Sequence, residues 1–190
     1  MRQKAFGWLL AALLPPLAAF GQQMAVDFDA AAGQINWTLV GNVHTVHGTF
    51  QLKQGHVNID QSNGNASGEL VVEAASGESG NSARDKRMRK EVLQTDKYPD
   101  VRLKVTKLDG PLPVKQGVTM RLLGQLAVHG ASHEVSIPLE VSVVGTEVTC
   151  KGKFVVPYVD WGMKDPSNFL FKVSKTVEIE VRGVGHVVSK

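Results

Sequence analysis

The sequence has little of the chemistry that small functional sites commonly use. Cys150 is the only cysteine among 190 residues, so the chain cannot form an internal disulfide and must be stabilised by its core. Its alternation with Val148 and Phe154 predicts a buried thiol on the apolar face of a strand, while a reactive nucleophile stays open as the alternative. The Cys and His spacings of zinc sites are absent from the sequence, which argues against a structural metal.

The sequence also lacks the short motifs of common enzymes. It contains no Gly-x-Ser-x-Gly elbow, no Gly-rich phosphate loop and no dinucleotide fingerprint. His129 is the best candidate for proton transfer, because an imidazole titrates near neutral pH. An exported enzyme that acts on a small apolar substrate, with His129 as its acid or base, is therefore the alternative function.

The N-terminal segment, residues 1–21, has the composition of a secretory signal peptide. Arg2 and Lys4 precede an apolar run, and Ala19 and Gly21 have the spacing of a cleavage site. The run is interrupted by prolines and is shorter than the roughly 20 apolar residues of a spanning helix, which favours cleavage over a retained anchor. We therefore predict a periplasmic or secreted protein.

The remaining residues, 22–190, are predicted to form one domain, a usual size for a single core. Without Arg2 and Lys4, the 21 basic residues fall to 19, against 18 acidic ones, a balance of +1. A nearly neutral domain has no electrostatic reason to bind nucleic acid, and nothing predicts stable membrane insertion after signal cleavage. The surface charges are compatible with a monomer or a homodimer.

Apolar and polar residues alternate along most of this domain, which is the pattern of half-buried β-strands. The alternation is clearest in residues 101–106, 118–128, 135–143 and 171–182. About eight to ten strands without interleaved helices predict an all-β fold, either an antiparallel barrel or a sandwich. A barrel interior can be filled by side chains, as in a purely structural protein, or hollow enough for a ligand, and the alternation fits both.

One short helix is predicted near residues 82–93, the only helical pattern after the N-terminus. Ser82 and Asp85 have the spacing of a capping box, and Met88 and Val92 share one helix face. The segment therefore fits a connection between two strands that covers one end of the sheet.

Several short motifs follow one another in an order and spacing that is specific to one protein family. They are Val46-His47-Gly48-Thr49-Phe50, Gly55-His56-Val57-Asn58-Ile59-Asp60, Arg84-Asp85-Lys86-Arg87-Met88-Arg89, Tyr98-Pro99, Leu123-Gly124-Gln125-Leu126-Ala127-Val128-His129-Gly130, Val135-Ser136-Ile137-Pro138-Leu139 and Asp160-Trp161-Gly162-Met163. With these motifs the chain resembles the YceI-like family of bacterial, mostly periplasmic, lipid-binding proteins. Arg87 and Met88 stand where that family commonly has His and Leu.

The resemblance implies an extended, lipocalin-like antiparallel β-barrel of about eight strands around an elongated apolar tunnel. It also implies an exported, non-catalytic protein that sequesters or carries a polyisoprenoid or another long-chain amphiphilic lipid, without cofactor or metal. Arg84 and Arg89 are candidate contacts for an anionic head group, because a guanidinium binds phosphate or carboxylate oxygens in pairs. The tunnel residues, predicted from inward parity, are Val46, Phe50, Leu70, Val72, Leu103, Val105, Leu122, Leu126, Ile137, Leu139, Phe154, Trp161, Phe169 and Phe171.

Overall fold

A computed structural model describes residues 23–188 and consists mainly of β-strands. The predicted signal sequence lies outside the described residues. A helical connection, α1 (Ser82–Arg87), continues into π-helical turns over Met88–Leu93. Within the described range, neither helical segment has the length and apolar character needed to cross a bilayer. The strands are β1 (Gln23–Phe28), β2 (Gln34–Leu39), β3 (Val46–Asp60), β4 (Ala66–Glu78), β5 (Asp100–Asp109), β6 (Val118–Val128), β7 (Ala131–Val144), β8 (Glu147–Val156) and β9 (Val177–Val188).

The strands close into an antiparallel barrel. From β3 the order of neighbours is β3-β2-β9-β8-β7-β6-β5-β4, and β4 pairs with β3 again. The inward-facing side chains of all the strands therefore surround one common interior. This arrangement confirms the prediction of an all-β, extended antiparallel barrel with one short helical segment near residues 82–93.

The ninth strand arises because β1 and β2 share one position in the wall. β1 pairs with β3 over residues 56–60 and with β9 over residues 185–188. β2 pairs with the same two strands farther along, over residues 46–50 and 178–182. Residues 29–33 form a short turn between them, so β1 and β2 act as one interrupted strand of an eight-membered ring.

The loops lie at two ends of the barrel, which we call the closed end and the mouth. The closed end has the loops 61–65, 110–117 and 145–146, and the mouth has the loops 40–45, 79–99, 129–130 and 157–176. Gln61 fixes the closed end, because its buried amide oxygen accepts a hydrogen bond of 2.8 Å from the Val114 backbone N–H. Val114 is itself buried in the apolar cluster beneath this loop.

The helix begins one residue earlier than the sequence indicated. Asn81 is the N-cap, with extended backbone, and its Oδ1 accepts from the Arg84 N–H at 3.0 Å. Asp85 is only 6% exposed and accepts from the Ser79 hydroxyl, so it does not complete a capping box. The predicted cap at Ser82 was wrong because Asn and Ser cap helices about equally well, and the backbone of the preceding loop decides between them.

Candidate ligand-binding cavity

The barrel interior is hollow. It contains a cavity of about 690 Å³, within the usual range of roughly 300–1,000 Å³ for small-molecule sites. The lining comes from all nine strands and extends from Ile59 and Val148, near the closed end, to Val128 and Val156 at the mouth. The side chains along this length are almost entirely aliphatic or aromatic. The cavity therefore suits a long apolar ligand.

The burial of individual residues shows where the interior is open and where it is packed. Leu103 and Phe154 point inward yet stay only partly buried, because open cavity lies in front of them. Val105, which is 1% exposed, belongs to a cluster of buried residues instead and does not line the cavity. Alternation predicts which side chains face inward, but it does not predict the volume left between them.

Eleven of the fourteen predicted tunnel residues lie along the cavity. Their contact with a ligand stays a prediction. Lining residues that the sequence analysis did not select include Trp37, Leu39, Val57 and Ile59, whose strands show the same alternation. The predicted residues on the lining are Val46, Phe50, Leu70, Val72, Leu103, Leu122, Leu126, Ile137, Leu139, Phe154 and Phe171.

Three predicted tunnel residues lie elsewhere. Val105 is enclosed by its packed neighbours, which leaves it no surface on the cavity. Trp161 stacks on His133 with ring centroids 4.0 Å apart, outside the lining. Phe169 is 93% exposed and lies in the loop that precedes β9, which begins only at Val177. The rule that alternate side chains face inward applies to strands, so it does not predict the orientation of Phe169 in this loop.

The predicted head-group arginines are both bonded to the barrel. The Arg84 guanidinium donates from Nε to Ser79 Oγ at 2.7 Å and from Nη2 to the Ser79 carbonyl at 3.0 Å. Arg89 donates from Nη1 to the carbonyls of Ala75 at 3.3 Å and Gly77 at 3.2 Å. Arg84 lines the cavity mouth and Arg89 does not. These bonds anchor the helical segment to the end of β4.

Arg87 is a further arginine on the cavity lining, and sequence reasoning did not select it. Its Nε lies 3.5 Å from Glu91 Oε2, one turn along the helical segment. Lys164 donates to the same carboxylate at 2.7 Å, and this bond lowers the pKa of Glu91. Because Lys164 is the closer partner of Glu91, Arg87 retains donors that a ligand at the mouth can use.

Two titratable groups on the lining have pKa values that burial raises. The pKa of the Cys150 thiol lies above its ordinary value, so the thiol stays protonated near neutral pH and is a poor nucleophile. Burial raises the pKa of Tyr158 to about 12, with a smaller contribution from Asp165. The Tyr158 hydroxyl donates to the Ser174 carbonyl at 2.9 Å, which ties both ends of the loop 157–176 together.

His129 does not line the cavity. It lies in the turn between β6 and β7, with its ring centroid 4.8 Å from that of Tyr98. Its Nε2 is buried and has no hydrogen-bond partner among the described residues. The side chain of His129 is therefore not among those that a molecule in the cavity would contact. Among residues 23–188, no group of three or more His, Cys, Asp and Glu side chains could bind a metal ion.

Comparison with known proteins gives a consistent result. The YceI-like domain family matches residues 26–184. A polyisoprenoid binding domain from Saccharophagus degradans, implicated in plant cell wall breakdown, is 18% identical with a TM-score of 0.66, covering 87% of this chain and 99% of its own. Burkholderia cenocepacia BcnA is also 18% identical, with a TM-score of 0.68 and coverage of 83% and 99%. The Campylobacter jejuni YCEI protein is 12% identical with a TM-score of 0.56, over 100% of both chains. No curated protein sequence matches significantly.

Proposed function

Because the chain belongs to the YceI-like family, we propose that it is an exported, non-catalytic protein that sequesters or carries a polyisoprenoid or another long-chain amphiphilic lipid. The observation that carries this proposal is the apolar cavity that extends through the barrel from the closed end to the mouth. The structural neighbour from Saccharophagus degradans, described as a polyisoprenoid binding domain, supports it. The predicted signal peptide supports a periplasmic or secreted location.

The free energy of binding comes from the hydrocarbon chain. Each buried methylene contributes about 0.8 kcal/mol, so ten of them give roughly 8 kcal/mol before the entropic cost of association. Oxygen-bearing groups gain nothing from an aliphatic wall and lose their hydration, so they are expected at the mouth. The ligand therefore enters with its chain toward the closed end. No cofactor besides this lipid is needed for the proposed role.

The proposal is tested by identifying what the barrel contains after purification. We expect organic extraction followed by mass spectrometry to recover about one long-chain lipid per protein molecule, since aliphatic contacts along a deep cavity slow dissociation. The purified apoprotein should also take up an added polyprenol. Repeated extraction without any lipid, together with no uptake of polyprenol, would contradict the proposal. Turnover of the lipid by the protein would contradict its non-catalytic part.

The head group is expected to meet Arg84 and Arg87, the two arginines of the helical segment that line the mouth. Arg87→Ala should weaken binding of a polyprenyl phosphate by about tenfold and leave the affinity for the neutral polyprenol unchanged, because one charge-assisted contact is lost. Equilibrium titration of both ligands measures this selectivity. Lys86→Ala is the matched control, since Lys86 is an exposed cation of the same helix that lies off the cavity lining. Equal losses for both ligands in Arg87→Ala would refute the contact.

A further inference from the structure

Exposed apolar side chains are concentrated at the mouth. Five of the seven large hydrophobic residues that are exposed in residues 23–188 lie in the loops 40–45 and 166–175. Monomeric proteins rarely expose such neighbouring apolar groups without a binding partner for them. We call these residues the mouth patch. They are Val40 (56% exposed), Val43 (64%), Phe169 (93%), Leu170 (67%) and Phe171 (50%).

Hydrogen bonds join the two loops into one surface. The Asn42 N–H donates to the Lys172 carbonyl at 2.9 Å, and the Lys172 N–H donates back to Asn42 Oδ1 at 3.0 Å. Asn42 Nδ2 donates to the Leu170 carbonyl at 3.3 Å, and the Ser174 N–H donates to the Val40 carbonyl at 2.8 Å. The mouth patch is therefore contiguous and fixed to the barrel.

The tip of the patch is a tight turn with its backbone groups bonded internally. Asn168 Oδ1 accepts from the N–H groups of Leu170 at 2.9 Å and Phe171 at 2.8 Å. The Asn168 N–H donates to the Phe171 carbonyl at 2.8 Å. Phe169 stands at this turn and is almost fully exposed. Satisfied backbone groups reduce the cost of moving a turn from water into the head-group region of a bilayer.

The titratable residues in the two segments that carry the patch are all basic. The segments 40–45 and 166–175 contain Lys172, Lys175 and His44, and no acidic residue. The nearest acid before the tip is Asp165, whose carboxylate accepts from the Ser167 N–H at 2.8 Å and attracts both lysines. Exposed apolar groups among lysines have the composition of a peripheral site for anionic lipids.

We propose that the mouth patch docks on an anionic lipid bilayer. Phe169 and Leu170 enter the boundary between head groups and acyl chains, while Lys172 and Lys175 lie against the lipid phosphates. The barrel wall stays in water, and the cavity then opens onto the membrane surface. The docking proposal depends only on the exposed patch and its lysines. The lipid-carrier function proposed above explains why the cavity should open onto a membrane.

Vesicle flotation tests the docking site. The protein should float with vesicles of phosphatidylcholine containing about one-third phosphatidylglycerol, and Phe169→Ser with Leu170→Ser should lower the partition coefficient at least tenfold. Val144→Ser is the matched control, since Val144 is 58% exposed at the closed end and should not change partitioning. Lys172→Gln with Lys175→Gln should weaken binding several-fold on anionic vesicles only, and high salt should reproduce that loss.

A second measurement separates the docking site from the cavity. Uptake of polyprenol from detergent should be unchanged in the Phe169→Ser, Leu170→Ser variant, because neither side chain lines the cavity. Wild-type protein that takes up polyprenol but does not float would overturn the docking proposal and leave the carrier function standing. A different outcome is that the wild-type protein does not float but dimerises in sedimentation velocity, with the dimer lost in the same variant. That result would assign the patch to contact with a second copy of the chain and overturn the proposal of bilayer docking.

Discussion

Leu103→Trp should lower the affinity for a polyprenol by about a hundredfold or more, and the purified variant should contain no lipid. Leu103 projects into the open cavity from the middle of β5 and stays partly exposed there. A tryptophan at this position occupies space that the ligand would use. Displacing four methylenes costs about 3 kcal/mol of binding free energy, which corresponds to a factor of more than one hundred. Titration with polyprenol and mass spectrometry of extracts measure the effect.

Lys104→Trp is the matched control for this substitution, since Lys104 is the exposed neighbour on the outer face of the same strand. It should bind polyprenol normally. If Leu103→Trp fails to fold by circular dichroism, Val72→Phe places a smaller obstruction on the adjoining strand β4. A folded Leu103→Trp variant with wild-type affinity would show that the lipid chain does not occupy the barrel.

Gly48→Ala should destabilise the barrel by about 3 kcal/mol and lower the melting temperature by roughly 6–12 °C. Gly48 pairs with Trp37 across β2 and β3. A Cβ atom there would overlap both the Trp37 ring and the Glu78 backbone carbonyl of β4. Two neighbouring strands would have to shift, because neither obstacle is the free end of a flexible side chain. Thermal and chemical unfolding measure the change.

Gly33→Ala provides the comparison at another glycine. Its Cβ would meet the Asp29 carbonyl at 3.4 Å, an ordinary contact, so the free energy of unfolding should change by no more than about 0.5 kcal/mol. Equal melting temperatures for the two variants would show that the strands around Gly48 adjust more freely than the packing indicates. Trp37 is 5% exposed and lines the cavity, so Gly48→Ala should also perturb ligand binding.

The sequence predicted the wall of the barrel better than its ends. Alternation in β5 to β7 indicated the inward faces, because side chains on a strand point to opposite sides in turn. The same rule treated Leu103 and Val105 alike, although only Leu103 reaches the cavity. Whether an inward side chain is packed or faces open space depends on neighbours from distant strands. The choice of a hollow barrel therefore came from the family resemblance rather than from the alternation.

The loops depend on side-chain hydrogen bonds that periodicity does not detect. Phe171 and Val173 continue the alternation of β9, but Asn168 accepts from two backbone amides and turns the chain before the strand. For the same reason the bonds of Arg84 to Ser79 could not be predicted. The sequence did contain a sign of this loop, because Asn and Ser residues interrupt the alternation there. Such a composition is typical of an irregular segment, in which alternation does not predict which side chains face inward.

The interrupted wall position formed by β1 and β2 has a consequence for biosynthesis. Both strands pair with β3 on one side and with β9 on the other, so one edge of each stays unpaired until the last described strand has been made. While the ribosome is still making the middle of the chain, the barrel cannot close, and its first strands have an unpaired edge. Pairings this distant in sequence also fold slowly. Closure of the barrel is therefore one of the last steps in the folding of this chain.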